Sequence, residues 1–207
     1  MKKTALAAAI ALASGGAHAL DPSATVDLEI WVGGASAQDG SFGNFFTSLC
    51  DAGTLDSYFD VFATNPGSDH RAFFCRISAA NVAGLSGDLN VLLHKRSDGG
   101  SGQGVVPVAR SLPQDHMIID NGNCTDQGGN EWFCDLGPAN LEAVVPDIGI
   151  SDLEPTLFFG PNTTGGNPVT PADVANLDIN GAVGHMNIVP DSNQKIFSAI
   201  HFTWPRG

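Results

Sequence analysis

Leu89-Asn90-Val91-Leu92-Leu93-His94, followed closely by Arg96-Ser97-Asp98-Gly99-Gly100-Ser101-Gly102-Gln103-Gly104, joins an apolar run to a glycine-rich turn. The run reads as a strand, and Val105-Val106-Pro107-Val108-Ala109 beyond the turn reads as a short helix. Backbone N–H groups freed at such a helix start can converge on an anion. Glycines let the backbone come close, and the hydroxyls of Ser97 and Ser101 add donors. A flexible surface turn is the plainer reading of a Gly/Ser cluster, and a lone glycine-rich loop carries little by itself.

Upstream, Val26-Asp27-Leu28-Glu29-Ile30-Trp31-Val32 alternates apolar and polar residues and predicts a strand over 26–32. Gly33 and Gly34 end it, and Ser36 is placed to cap a helix running to about Cys50, with Asp39 in its first turn. Phe42, Phe45, Phe46 and Leu49 share one face of that helix and are expected in the core. Tyr58 to Ala63, Arg71 to Ile77, Asp88 to Lys95 and Asp147 to Ser151 predict further strands, whereas Asp120 to Asn130 holds no regular element. Leu157 to Pro171 reads as loop, and Pro171 opens a short helix capped by Thr170. Gly184 to Val189 reads as a last strand and Ser192 to Ile200 as a helix. Strands alternating with helices favour an α/β fold, here a single lobe with a mixed sheet and flanking helices.

Residues 1–19 carry a leader signature: Lys2 and Lys3, an apolar stretch from Thr4 to Ala13, and an Ala17-His18-Ala19 cleavage site. The apolar stretch is too short to span a bilayer, which needs about 20 residues. Cleavage before Leu20 leaves 188 of the 207 residues as one domain, periplasmic or secreted, with no membrane span. Loss of two lysines moves the formal charge from −13 to −15, which argues against nucleic acid and anionic membranes as partners. Cys50, Cys75, Cys124 and Cys134 all fall in the exported part, and an even count there favours disulfides. Cys124 and Cys134 bracket a turn-rich loop and form the natural local pair, which leaves Cys50 for Cys75.

Three segments share one grammar, in which a strand ends, small residues turn and a polar side chain stands at the edge. They are Gly34-Ala35-Ser36-Ala37-Gln38, the Arg96–Gly104 loop and Gly149-Ile150-Ser151-Asp152. In an open α/β sheet, ligands collect outside the carboxyl ends of the strands, so these edges are expected to converge. Taken in order, G-A-S-A-Q, G-S-G-Q-G before a helix, and D-I-G-I-S-D-L-E-P resemble the first lobe of the periplasmic phosphate-binding proteins, in the substrate-binding-protein superfamily. The R-S-D-G-S-G-type motif of that family's second lobe also resembles Arg96 to Gly102, although that alignment breaks the order of the other two motifs.

The resemblance implies contact with a small, phosphate-like oxyanion by Ser36, Ser101 and Asp152 and by the backbone at Ala37 and Gly102. Asp152 would accept the proton of a protonated oxyanion and so discriminate against fully deprotonated ones. Two departures stand beside it: Ala37 where the family has an aromatic residue, and Gln38 where it has proline. Cys50 to Leu89 has no family counterpart. A binding protein of this kind closes two lobes over its ligand, and 188 residues make about one. A second lobe or a transporter component is therefore the expected partner.

An enzyme reading finds little. Gly99-Gly100-Ser101-Gly102-Gln103 lacks the G-x-S-x-G spacing of a nucleophile elbow, and Asp98, Asp152 and His94 as a base set compete with ordinary solvated charges. No C-x-x-C or H-x-x-x-H zinc spacing is present. Asp115, His116, Asp120, Asp126, Glu131 and Asp135 offer oxygen ligands for calcium, but Gly122 and Cys124 fall where the loop motif needs ligands. The expectation is an exported, non-enzymatic oxyanion-binding protein for solute transport, without a cofactor. The alternative is a secreted structural or interaction protein with the same fold and no small ligand.

Overall fold

The computed structural model describes residues 20–60, 67, 69–152, 170–175, 177–180 and 201–205. The leader, the strand expected at 184–189 and the helix expected at 192–200 lie outside them, as does most of the loop expected at 157–171. The first strand, β1, spans Leu28–Gly34, and a 3-10 turn at Ser36–Gln38 leads into α1 at Asp39–Thr47. Then come β2 (Asp56–Asp60), β3 (His70–Ile77), β4 (Leu89–Arg96) and α2 (Ser101–Arg110). Short strands follow: β5 (Gln114–Met117), β6 (Cys124–Gly128), β7 (Glu131–Cys134), β8 (Leu141–Val144) and β9 (Ile148–Ser151). The last described elements are α3 (Pro171–Ala175), β10 (Leu177–Asn180) and β11 (His201–Pro205).

Nine strands build one mixed sheet in the order β10-β11-β9-β1-β4-β3-β2-β7-β6, and β5 pairs with β8 apart from it. At its centre β9, β1 and β4 run parallel, with Leu28 opposite Val91 and Val32 opposite Ile148. Asp147 pins this register, because its carboxylate accepts the Trp31 amide at 2.9 Å while its own amide donates to the Trp31 carbonyl at 2.9 Å. The architecture is α/β, as the alternation of elements predicts.

Strand alternation sends Val32, Val91, Leu93, Phe73, Cys75 and Ile150 to one face, where Phe42 and Phe46 of α1 cover them. The other face carries Tyr58, Ala72, Phe74 and Leu92, packed with Met117 of β5. There α2 lies over β1 and β9. Gly33 is what lets it settle, since a side chain there would collide with Gln114 and the Gln103 carbonyl.

Four expectations are corrected. The helix after β1 starts later than Ser36 and with a different cap: Ser36 opens the 3-10 turn, and no side chain caps either start. Phe45 is not core but 59% exposed, because the sheet meets only the Phe42 and Phe46 side of the short helix. Residues 124–134 form a hairpin, β6 and β7, where polar composition suggested no regular element. Hydrogen bonds and a covalent tie hold it, since Cys124 and Cys134 sit opposite each other in register and are joined by a disulfide, Cα atoms 4.0 Å apart. Lastly, α2 begins at Ser101, four residues before the expected start, which brings Ser101 and Gly102 into the helix itself. The second disulfide ties Cys50, just after α1, to Cys75 of β3, Cα atoms 5.7 Å apart.

Candidate functional site

Because β1, β4 and β9 are parallel, their carboxyl ends share one edge of the sheet, where Gly33 faces Arg96 and Gly34 faces Ile150. Three turns leave from it. In the first, Gly34 adopts φ +113°, a region that penalises any Cβ, and the Ala35 amide donates to the Ile150 carbonyl at 2.9 Å. Ser36 and Ala37 then stand exposed at the start of the 3-10 turn. In the second, Gly99 and Gly100 take φ +81° and +64°, reversing the chain so that α2 can start at Ser101. In the third, β9 ends at Ser151 and hands over to Asp152.

Ser101 and Asp152, 51 residues apart in sequence, meet here. The Asp152 amide donates to the Ser101 hydroxyl at 3.1 Å, and that hydroxyl donates to the Asp152 carboxylate. Gly102 follows Ser101 in the first turn of α2, with nothing within 4 Å of where its side chain would be. Ser36 and Ala37 lie on the same edge, but no hydrogen bond among the described residues joins them to the Ser101–Asp152 pair. The amides of Ser36, Ala37, Ser101 and Gly102 find no acceptor among the described residues. Two uncapped helical starts therefore open at the ends of the neighbouring strands β1 and β4, the second of them bonded to the Asp152 carboxylate.

Beneath the edge lies a buried polar cluster that takes in Ser97, whose hydroxyl, expected as an anion donor, is instead spent on Asp39. Lys95 is 1% exposed, and its ammonium donates to the Gly34 carbonyl at 2.5 Å, the Ser97 hydroxyl at 2.9 Å and the Arg96 carbonyl at 3.2 Å. Asp39, 6% exposed, lies 3.2 Å from that ammonium and 3.4 Å from Arg71, and accepts the Ser97 hydroxyl at 2.7 Å. Burial pushes the Lys95 pKa down to about 8, against the pull of Asp39. A signal existed in the sequence: alternation puts Lys95 on the core face of Val91 and Leu93, and a buried lysine needs an acidic partner. Arg96 points to the other face, where it pairs with Asp98 at 2.8 Å while its buried Nε has no hydrogen-bond partner among the described residues.

On the α2 side of the sheet, His94 stacks on Trp31 with ring centroids 3.7 Å apart and shares a hydrogen bond with Glu29 at 2.8 Å. His116 packs edge-on to Trp31 and is 1% exposed, with no hydrogen-bond partner for its Nε2 among the described residues. It is a core histidine. Two of the carboxylates weighed for calcium hold turns: Asp120 accepts the amides of Gly122 and Asn123, and Asp126 that of Gly128. Among the described residues no group of three or more His, Cys, Asp or Glu side chains is arranged to hold a metal, and no helix is long and apolar enough to cross a membrane. Comparison with protein-family models, curated proteins and solved structures finds no match for this chain.

Proposed function

We propose that the protein is an exported, non-enzymatic solute-binding protein that holds a small phosphate-like oxyanion at this edge, in the manner of one lobe of the periplasmic phosphate-binding proteins. The carrying observation is the pair of uncapped helical starts at Ser36 and Ser101 on one edge of the sheet, whose four amides find no acceptor among the described residues, with the Asp152 carboxylate bonded to Ser101. Helix starts favour anions through their free N–H groups and dipole. Asp152 adds the selectivity: a carboxylate at the rim repels a bare anion but accepts a hydrogen bond from a protonated one. The two disulfides fit export to an oxidising compartment.

Isothermal titration of residues 20–207 with phosphate and with sulfate tests this. Donors from one lobe leave the anion open to water on one side, so millimolar affinity for phosphate is expected, and tight binding only with a partner lobe. Ser101→Ala should weaken phosphate roughly tenfold or more by removing one charge-assisted hydrogen bond. Asp152→Asn should narrow the preference for phosphate over sulfate. Equal affinity of wild type and both variants for either anion would sink the reading.

A further inference from the structure

The two donor turns are separate pieces of chain, and one buried side chain touches the base of both. Four residues separate Gly34 from Asp39, and Ser36 and Ala37 are two of them; three separate Ser97 from Ser101. The Lys95 ammonium reaches Gly34 at one end of the first turn and Asp39 at the other, and Ser97 at the base of the second. Ser97 closes the ring by donating to Asp39. A buried ion pair is a poor source of stability compared with apolar packing, whereas its hydrogen bonds do have direction. Resting on the oxyanion reading above, we infer that Lys95 is a positioning residue, whose ammonium sets the Ser36–Ala37 turn against the Ser101–Gly102 turn so that their amides can converge on one anion.

Lys95 does not touch the anion in this arrangement. It acts through the Gly34 carbonyl and the Asp39 carboxylate. Among the described residues, the charged groups acting on it are Asp39 from α1 and Arg71 from β3; β1 contributes the Gly34 carbonyl, and Asp69, just before β3, contributes the carbonyl that accepts the Ser97 amide at 2.7 Å. Asp39 raises the Lys95 pKa and Arg71 lowers it. Loss of the ammonium proton leaves four acceptors facing a neutral amine, and the two turns lose their common tie.

The test is a pH titration from neutrality to about pH 9.5 of the amide NMR signals of residues 20–207, in wild type and in Asp39→Asn. In the wild type the amides of Ala35–Gln38 and of Ser97–Gly102 should move together with a midpoint near 8. In Asp39→Asn that common midpoint should fall, because the partner that raises the Lys95 pKa is gone. The α-amine of a chain beginning at Leu20 also titrates near 8, at about 7.7–8.0, but removing Asp39 would leave it unmoved.

Sulfate affinity, measured in parallel, should drop roughly tenfold by pH 9 in the wild type, following the protonated fraction. Lys95→Met should leave the two sets of amides shifted at every pH. Should that variant fail to fold, Asp39→Asn still decides. Independent movement of the two turns, or a midpoint that Asp39→Asn does not shift, would overturn the inference. Absence of any sulfate or phosphate binding would refute the oxyanion reading while the amide titration still judges the role of Lys95 in placing the turns.

Discussion

Gly102 and Gly104 sit two residues apart in the first turns of α2, and alanine at the two positions should act in opposite directions. Both are helical, so alanine gains conformational entropy at each, up to about 1 kcal/mol and nearer about 0.5 kcal/mol in a first turn. At Gly102 nothing lies within 4 Å of the added methyl, and the gain stands alone. At Gly104 the methyl would lie 2.8 Å from the Ile150 carbonyl carbon and 2.9 Å from its nitrogen, and closer still to its oxygen. That neighbour is strand backbone and cannot rotate away. Its oxygen also accepts the Ala35 amide at 2.9 Å, so moving it costs a hydrogen bond as well.

Overpacking costs about 1–3 kcal/mol and the lost bond about 1 kcal/mol, which leaves Gly104→Ala destabilised by about 2–3 kcal/mol. Against Gly102→Ala the gap is about 3 kcal/mol. For a chain of this size that is roughly 6–12 °C in melting temperature. Thermal and urea melts of the two variants against wild type decide it. Melting points within about 2 °C of each other, or Gly102→Ala as the less stable variant, would show that α2 does not approach β9 as closely as described.

Acid should unfold the protein early. Burial pushes the pKa of His70 down to about 4 and that of His116 to about 2, so below the unfolded value of about 6.5 the unfolded chain takes up more protons and stability falls with pH. Asp56, raised to about 6 by burial, works the other way between pH 6 and 4, leaving a net loss of about one histidine's worth, roughly 1.4 kcal/mol per pH unit. Urea midpoints at neutral and mildly acidic pH should show that slope, and His116→Gln should flatten it; an unchanged slope would refute the assignment. Removing either disulfide by paired Cys→Ser changes should cost about 3 kcal/mol, and the 25-residue Cys50–Cys75 link should cost slightly more than the 10-residue Cys124–Cys134 link. The reverse order in urea midpoints would mean that the β6–β7 hairpin depends on its bridge more than chain entropy allows.

What could be read in advance was local. Alternation marked β1 to within two residues at either end, and a continuous apolar run marked β4 to within one, as expected of a strand buried on both faces. The two cysteine pairings followed from proximity in the chain. Strand order was beyond reach: β1 neighbours β4 and β9, which lie far away in sequence, and parallel neighbours leave no turn between them to betray the pairing. The short strands β5 and β8 pair only with each other and carry polar residues, so no periodicity announced them. Ser101 and Asp152 could be named from their turns, yet their contact depends on α2 crossing to β9 through Gly104. Lys95 lay within an identified strand, and its burial opposite Asp39 was implicit in the alternation, but no motif carries it.

Under the proposed oxyanion reading, the Ser101–Asp152 pair would let the edge take up an anion without stranding a polar group. As it stands, the Ser101 hydroxyl spends its proton on the Asp152 carboxylate. A protonated oxyanion brings its own proton to Asp152 and frees the hydroxyl to donate to an oxygen of the ligand, so every donor and acceptor remains matched. A bare anion offers no such exchange. It leaves Asp152 facing a like charge, and it competes with the carboxylate for Ser101. The protein's excess of negative charge would not change this balance: groups beyond about 8 Å are screened at physiological salt, whereas amides and a carboxylate touching the ligand would act at contact distance. On the proposed oxyanion reading, selectivity at this edge rests on one proton, which is why Asp152→Asn should narrow the preference for phosphate over sulfate.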